Sequence, residues 1–109
     1  MMASMSDMSK KKISEADIEN WLNNQMRRIG GLSRKWVSPG NPGVPDRIYI
    51  LPGGKIYFVE LKTETGKFSK LQKWQLAELK RMGCRIRKVK GMEQAKELIE
   101  EFKHEIQSA

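Results

Sequence analysis

Apolar positions along this chain change period several times, and the changes mark out its elements. Ile18 and Leu22 recur at helical spacing behind Ser14. Ser14 reads as an N-cap with Asp17 three residues on, and Ile13 and Ile18 occupy staple positions, so a helix is predicted to about Arg28. Gly30-Gly31 ends it. A short strand is expected around residues 34–37, followed by Ser-Pro-Gly-Asn-Pro-Gly-Val-Pro over 38–45, too rich in Pro and Gly for regular structure. That stretch suits either a linker or an active-site loop. Two strand-forming runs follow, 47–51 and 55–62, and the turn signal Pro52-Gly53-Gly54 between them predicts a hairpin. In the second run Ile56 and Phe58 alternate with Tyr57, Val59 and Leu61, so burial on both faces is expected.

After a loop over 63–68, Ser69 and Gln72 match a capping box that opens a helix ending at Met82-Gly83. Gln72, Leu76 and Leu79 form its inward stripe, while Lys70, Lys73, Ala77, Lys80 and Arg81 form the opposite one. A strand over 85–89 and a helix over 92–104, with Ala95, Leu98, Ile99 and Phe102 at helical spacing, complete the order αβββαβα. The expectation is an α/β fold with a mixed sheet flanked by helices. Residues 1–12 read as a polar, disordered tail and 13–109 as a single domain.

At 109 residues one domain is the natural count, with much surface exposed, so a partner subunit would help. No apolar run approaches a membrane span and the leader lacks a signal-peptide pattern, which predicts a soluble, intracellular protein without a membrane or small-molecule cofactor. The single cysteine, Cys84, excludes an intramolecular disulfide, and with only His104 beside it there is no zinc constellation.

Charge changes the picture. Residues 61–90 hold ten Lys or Arg against two acids, and elsewhere the signs balance, so the whole net charge of +8 lies in one segment. A solvated face would mix signs. The segment has the footprint of a nucleic-acid binder, with acidic membranes or proteins as other suitable partners. Lys67, Lys70, Lys73, Lys80 and Arg81 are the candidate contacts. Trp21, Trp36 and Trp74 have the faces to stack on bases, but in a small domain large aromatics are more often core or interface, and none is assigned to the site.

The candidate chemistry lies in Gly43-Val44-Pro45-Asp46 and Val59-Glu60-Leu61-Lys62. The strand period of two points Glu60 and Lys62 to one face, and the hairpin brings Asp46 opposite Glu60. Phosphodiester hydrolysis attacks an anionic centre while further charge develops, and a hard divalent cation on one or two carboxylates meets that demand. A lysine beside it serves the attacking water or the developing charge. Each residue also has a plainer reading: Asp46 as a turn starter, Glu60 and Lys62 as a solvated pair, Gln72 as a cap, Glu15 as a first-turn acid favoured by the helix dipole.

Pro45-Asp46 followed by Glu60-Leu61-Lys62 resembles the PD-(D/E)XK nuclease signature, and the wider order resembles its virus-type replication-repair branch, the VRR nuclease domain. The likeness runs from Glu15 on the opening helix through Gly53-Gly54-Lys55 to Leu71-Gln72 and Met82-Gly83-Cys84. It implies a restriction-endonuclease-like core and a DNA endonuclease dependent on Mg2+ or Mn2+. Asp46 and Glu60 would be metal ligands with the Leu61 carbonyl as a further one, Lys62 would serve the water, and Gln72 and Glu15, or Glu19 in its place, would support. The resemblance further implies a homodimer acting on branched DNA, including four-way (Holliday) junctions, in DNA repair within a bacterial or phage-infected cell. A flap or nicking endonuclease and a non-catalytic basic binding module are the alternatives.

Overall fold

Ser14 caps the first helix as expected. Its side chain accepts from the Asp17 amide at 3.1 Å and the Asp17 carboxylate accepts from the Ser14 amide at 2.9 Å, satisfying two otherwise orphaned donors. In the computed structural model, which describes residues 12–108, this helix, α1, spans Glu15–Arg28. The tail expected over 1–12 lies, but for Lys12, outside the described residues. α1 ends where Gly30 adopts φ +82°, a conformation that favours glycine. β1 follows at Leu32–Lys35, two residues earlier than predicted, because Gly30 already turns the chain and the Gly31 amide bonds the Met26 carbonyl.

β2 (Arg47–Ile50) and β3 (Ile56–Lys62) form the predicted hairpin, with Gly53 and Gly54 at positive φ in its turn. Helix α2 (Lys70–Arg81) opens on the predicted capping box and closes at Met82-Gly83. β4 is Arg85–Lys90, and α3 runs over Gly91–Ser108, one residue earlier and four later than the sequence pattern suggests. The sheet order is β1-β2-β3-β4, antiparallel except for the parallel β3–β4 pair, to which α2 is the crossover. The expected αβββαβα order and mixed sheet are present.

The core lies between one face of the sheet and helices α1 and α3. Ile18, Leu22 and Met26 of α1 and Ala95, Leu98, Ile99 and Phe102 of α3 are buried with Tyr49, Tyr57, Val59, Leu61 and Val89. Phe102 anchors it, with ring centroids 4.8 Å from Tyr57 and 6.2 Å from Tyr49. The other face differs from expectation. It is covered at the Glu60 end, which Gln72 of α2 reaches, but Ile56 is 42% exposed and Phe58 is half-buried against Trp36. The run Ile56–Lys62 is therefore closed on both sides only toward its Glu60 end, because a single short helix does not span that face. Among the described residues no helix is long and apolar enough to cross a membrane.

Candidate active site

β-sheet register assembles the cluster. Arg47 pairs with Val59, so Asp46, one residue before β2, stands beside Glu60 near the end of β3. Alternation then sends Asp46, Glu60 and Lys62 to the face that α2 covers, while Arg47, Tyr49, Val59 and Leu61 turn to the core. Asp46 Oδ2 accepts a long hydrogen bond, 3.4 Å, from the Leu61 amide. Glu60 is 1% exposed; its Oε1 accepts from Gln72 Nε2 at 3.1 Å, and its Oε2 is buried without a partner.

Burial raises the Glu60 carboxyl well above the usual carboxylate range, Asp46 adds to the rise as a neighbouring carboxyl that favours a shared proton and as a like charge, and Lys62 opposes it. Glu15 is raised in the same way, first by burial and then by Asp46, again with Lys62 opposing. The first turn of α1 thus contributes to one electrostatic cluster with Asp46, Glu60 and Lys62. Glu19 is engaged elsewhere: its Oε2 lies 3.9 Å from Arg47 Nη1. Glu15 is therefore the acid of α1 that acts on the Glu60 carboxyl, while Glu19 stands against Arg47.

A buried carboxylate oxygen with no partner is a costly arrangement unless a cation completes it. Among the described residues no three His, Cys, Asp or Glu side chains gather as a metal cluster. Asp46 and Glu60 are a pair, and a magnesium-type ion needs only one or two carboxylates, since water and substrate phosphate fill its remaining positions. The donor set fits such an ion.

No family model matches the chain. The protein named "Putative nuclease p44" of Acyrthosiphon pisum secondary endosymbiont phage 1 is 45% identical over 74 residues, covering 68% of this chain and 80% of that protein. A solved structure described as "VRR_NUC domain" superposes with a TM-score of 0.74 at 32% identity, over 79% of this chain and 94% of the other. The chain belongs to the VRR nuclease domain family. A second structure, "VRR_NUC domain protein", matches at TM-score 0.69 and 17% identity over 84% and 89% of the two chains, a likeness of fold alone.

Within this VRR nuclease domain, Gln72 unites the two roles weighed for it. Its Oε1 accepts from the Ser69 amide at 2.9 Å while its Nε2 reaches Glu60. The Leu61 amide joins the cluster through Asp46. The candidate nucleic-acid contacts Lys67, Lys70, Lys73, Lys80 and Arg81 are all exposed. They are not equivalent. Arg81 is tied to Glu78 by two hydrogen bonds, and on β4 Arg87 pairs with Glu101 and Arg85 with Glu105. Among the described residues no ion pair engages Lys67, Lys70, Lys73 or Lys80, so α2 and the loop before it carry four cations that no acid of those residues neutralises.

Two features escaped the sequence. Arg47, 8% exposed, donates from Nη2 to Asn23 Oδ1 at 2.9 Å and to Ser33 Oγ at 2.6 Å, tying α1, β1 and β2 together beside Asp46. Its place on the inward phase of β2 was the signal. Gln75 Nε2 donates to the Pro42 carbonyl at 3.2 Å, and a Cβ on Gly43 would stand 2.7 Å from Leu71 Cγ, so the loop leading to Asp46 is clasped to α2. That loop is no linker.

Proposed function

We propose that this protein is a divalent-metal-dependent DNA endonuclease in which Asp46 and Glu60 hold the metal, with the Leu61 carbonyl as a further ligand. The observation that carries the reading is the buried Glu60 Oε2, which no N–H or O–H donor among the described residues reaches, beside the second carboxyl of Asp46. The ion, Mg2+ or Mn2+, supplies Lewis-acid polarisation of the scissile phosphate. The chain's own groups do the rest. Gln72 fixes the Glu60 carboxylate and leaves its second oxygen for the ion. Lys62 places a cation where it orients the attacking water and offsets charge developing on the phosphoryl oxygens. Glu15 enters from α1 as a supporting acid that accepts a hydrogen bond from water. Lys67, Lys70, Lys73 and Lys80, with Arg81 in a lesser role, hold the DNA backbone beside the site.

The substrate we favour is branched DNA, a four-way junction cut by a homodimer. A row of apolar side chains supports the dimer: Leu32, Ile50 and Ile56 are paired across three strands on the open sheet face, and Leu32 and Ile56 are 49% and 42% exposed. Two-fold symmetry suits paired cuts.

A cleavage series tests the reading. Four-way junction, flap, nicked and linear DNA are incubated in chelator and then with magnesium or manganese. Cleavage only with metal, greatest on the junction, is expected together with sedimentation as a dimer. Binding without cleavage under every metal would reduce the protein to a basic binding module, and a monomer preferring flaps or nicks would move it to the flap or nicking class.

A further inference from the structure

Of the three tryptophans, two are accounted for by packing. Trp21 rests against the core and Trp36 lies 5.1 Å from the Phe58 ring. Trp74 is different. It stands on the outward side of α2, 56% exposed, and makes no ring contact among the described residues. Leaving so large an apolar surface in water is unfavourable, by about 25 cal/mol for each Å² that a partner would cover.

Its neighbours indicate what covers it. Lys70 lies one turn before Trp74 on the same side of the helix and Lys73 is adjacent, both without an ion pair among the described residues, while Glu78, one turn after Trp74, is taken up by Arg81. Leu71, three residues before Trp74 and 43% exposed, continues the apolar patch toward the loop that it clasps at Gly43, and that loop leads to Asp46. An aromatic face flanked by two free lysines thus connects to the loop feeding the catalytic cluster. A polyanion that carries flat apolar rings fits both its charge and its shape.

We infer that Trp74 and Leu71 form a stacking site for an unpaired base, held beside the cleaved strand by the cations of α2. The inference rests on the nucleic-acid reading above and adds the chemical class of what is held there: a nucleotide out of the duplex, as at a branch point, a flap or a frayed end. Duplex DNA keeps its bases stacked on one another and offers this surface only its backbone. The lysines serve both kinds of DNA, and Trp74 serves unpaired nucleotides.

Binding measured in chelator tests this without depending on cleavage. The probes are a thymidine oligonucleotide, a blunt duplex and a duplex with splayed single-stranded arms. Trp74→Ala is expected to weaken the oligonucleotide and the splayed duplex about tenfold while the blunt duplex changes less than about twofold, and Trp74→Phe to retain most of the affinity. Quenching of tryptophan fluorescence by the oligonucleotide in the wild type should be lost in Trp74→Phe. Equal loss on all three probes, unchanged binding, or quenching that persists in Trp74→Phe would overturn the inference. So would a Trp74→Ala protein that sediments as a monomer where the wild type is a dimer, since that assigns the patch to a subunit interface. A wild type that binds as expected yet cleaves nothing with magnesium would sink the nuclease reading and leave the stacking site standing.

Discussion

Gln72 holds Glu60 with the same amide that caps its own helix: Nε2 donates to Glu60 Oε1 at 3.1 Å while Oε1 accepts from the Ser69 amide at 2.9 Å. The start of α2 and the candidate metal ligand are therefore positioned by one planar group. The two halves separate by substitution. Gln72→Glu keeps a capping oxygen, which the helix N-terminus favours, but sets a carboxylate against Glu60. Gln72→Ala removes both halves and should cost about 1 kcal/mol of stability. Both variants are expected to lose about 10–100-fold in metal affinity or cleavage, with thermal stability reduced mainly in the alanine variant. Wild-type cleavage by Gln72→Glu would show that the contact with Glu60 has no part in the reaction.

The Glu60 carboxyl is a strained guest of the metal-free fold. It is buried, close to Asp46, and retains an oxygen without a partner. Glu60→Gln keeps the shape and the acceptor for Gln72, removes the cost of holding a carboxyl away from its ordinary ionised form, and offers an amide to Asp46. Stability without metal should rise by on the order of 1 kcal/mol, about 4–8 °C in the melting midpoint of a domain this size, while cleavage is lost. Calorimetric scans in chelator check it, and a lower midpoint would show that the buried carboxyl is compensated in the folded protein.

Electrostatic attachment should depend on the unpaired lysines of α2. Each phosphate contact contributes about −0.9 to the slope of log affinity against log salt on duplex DNA. Neutralising Lys70, Lys73 and Lys80 together should flatten the slope by up to about 2.7. Neutralising Arg85 and Arg87 should leave the slope nearly unchanged and lower stability instead, because those arginines are spent on Glu105 and Glu101 of α3. Filter-binding titrations across a salt series distinguish the two sets, and an identical slope in the triple lysine variant would move the binding face elsewhere.

Legibility in the sequence followed the range of each interaction. Period, caps and glycines are local signals, and they were sufficient for every element from α1 to α3, with errors at the ends such as β1, where Gly30 turns the chain early. The pairing of Asp46 with Glu60 could be read because a short hairpin fixes its own register. The open half of the sheet could not, since strand alternation says which residues share a face and nothing of how far one helix covers it. Arg47 was hidden for the same reason: its partners Asn23 and Ser33 come from other elements. Segment charge was legible as a sum, but which cations remain free depends on Glu78, Glu101 and Glu105, and only the last two required tertiary structure to find.

Acid stability should depend on Glu105. The Tyr57 hydroxyl donates to it, Lys55 Nζ lies 3.2 Å away and Arg85 Nε 4.0 Å, and together these hold its carboxyl below the ordinary glutamate value, the Tyr57 bond contributing most. A depressed folded value means that the contribution is complete above the unfolded glutamate value and is lost as pH falls through the folded one. Glu105→Gln should therefore lower stability at neutral pH and flatten the acid limb of the melting curve against pH. Parallel curves for variant and wild type would show that the α3–β3 contact carries no such linkage.

Lys62 separates the members of the site by the step each serves. Asp46→Ala and Glu60→Ala remove the proposed metal ligands and should abolish metal binding and cleavage together. Lys62→Ala should behave differently, because Lys62 is the cation that counters the raised carboxyls of both Glu60 and Glu15. Removing a positive charge beside a cation site lessens repulsion, so metal affinity should hold or rise. Cleavage should fall about 10²–10³-fold as stabilisation of the developing charge is lost. DNA binding, carried by the lysines of α2, should survive all three substitutions. Calorimetric metal titration of Lys62→Ala paired with a nicking assay decides the matter: a variant that still cleaves near the wild-type rate would mean that the reaction is performed by groups other than these.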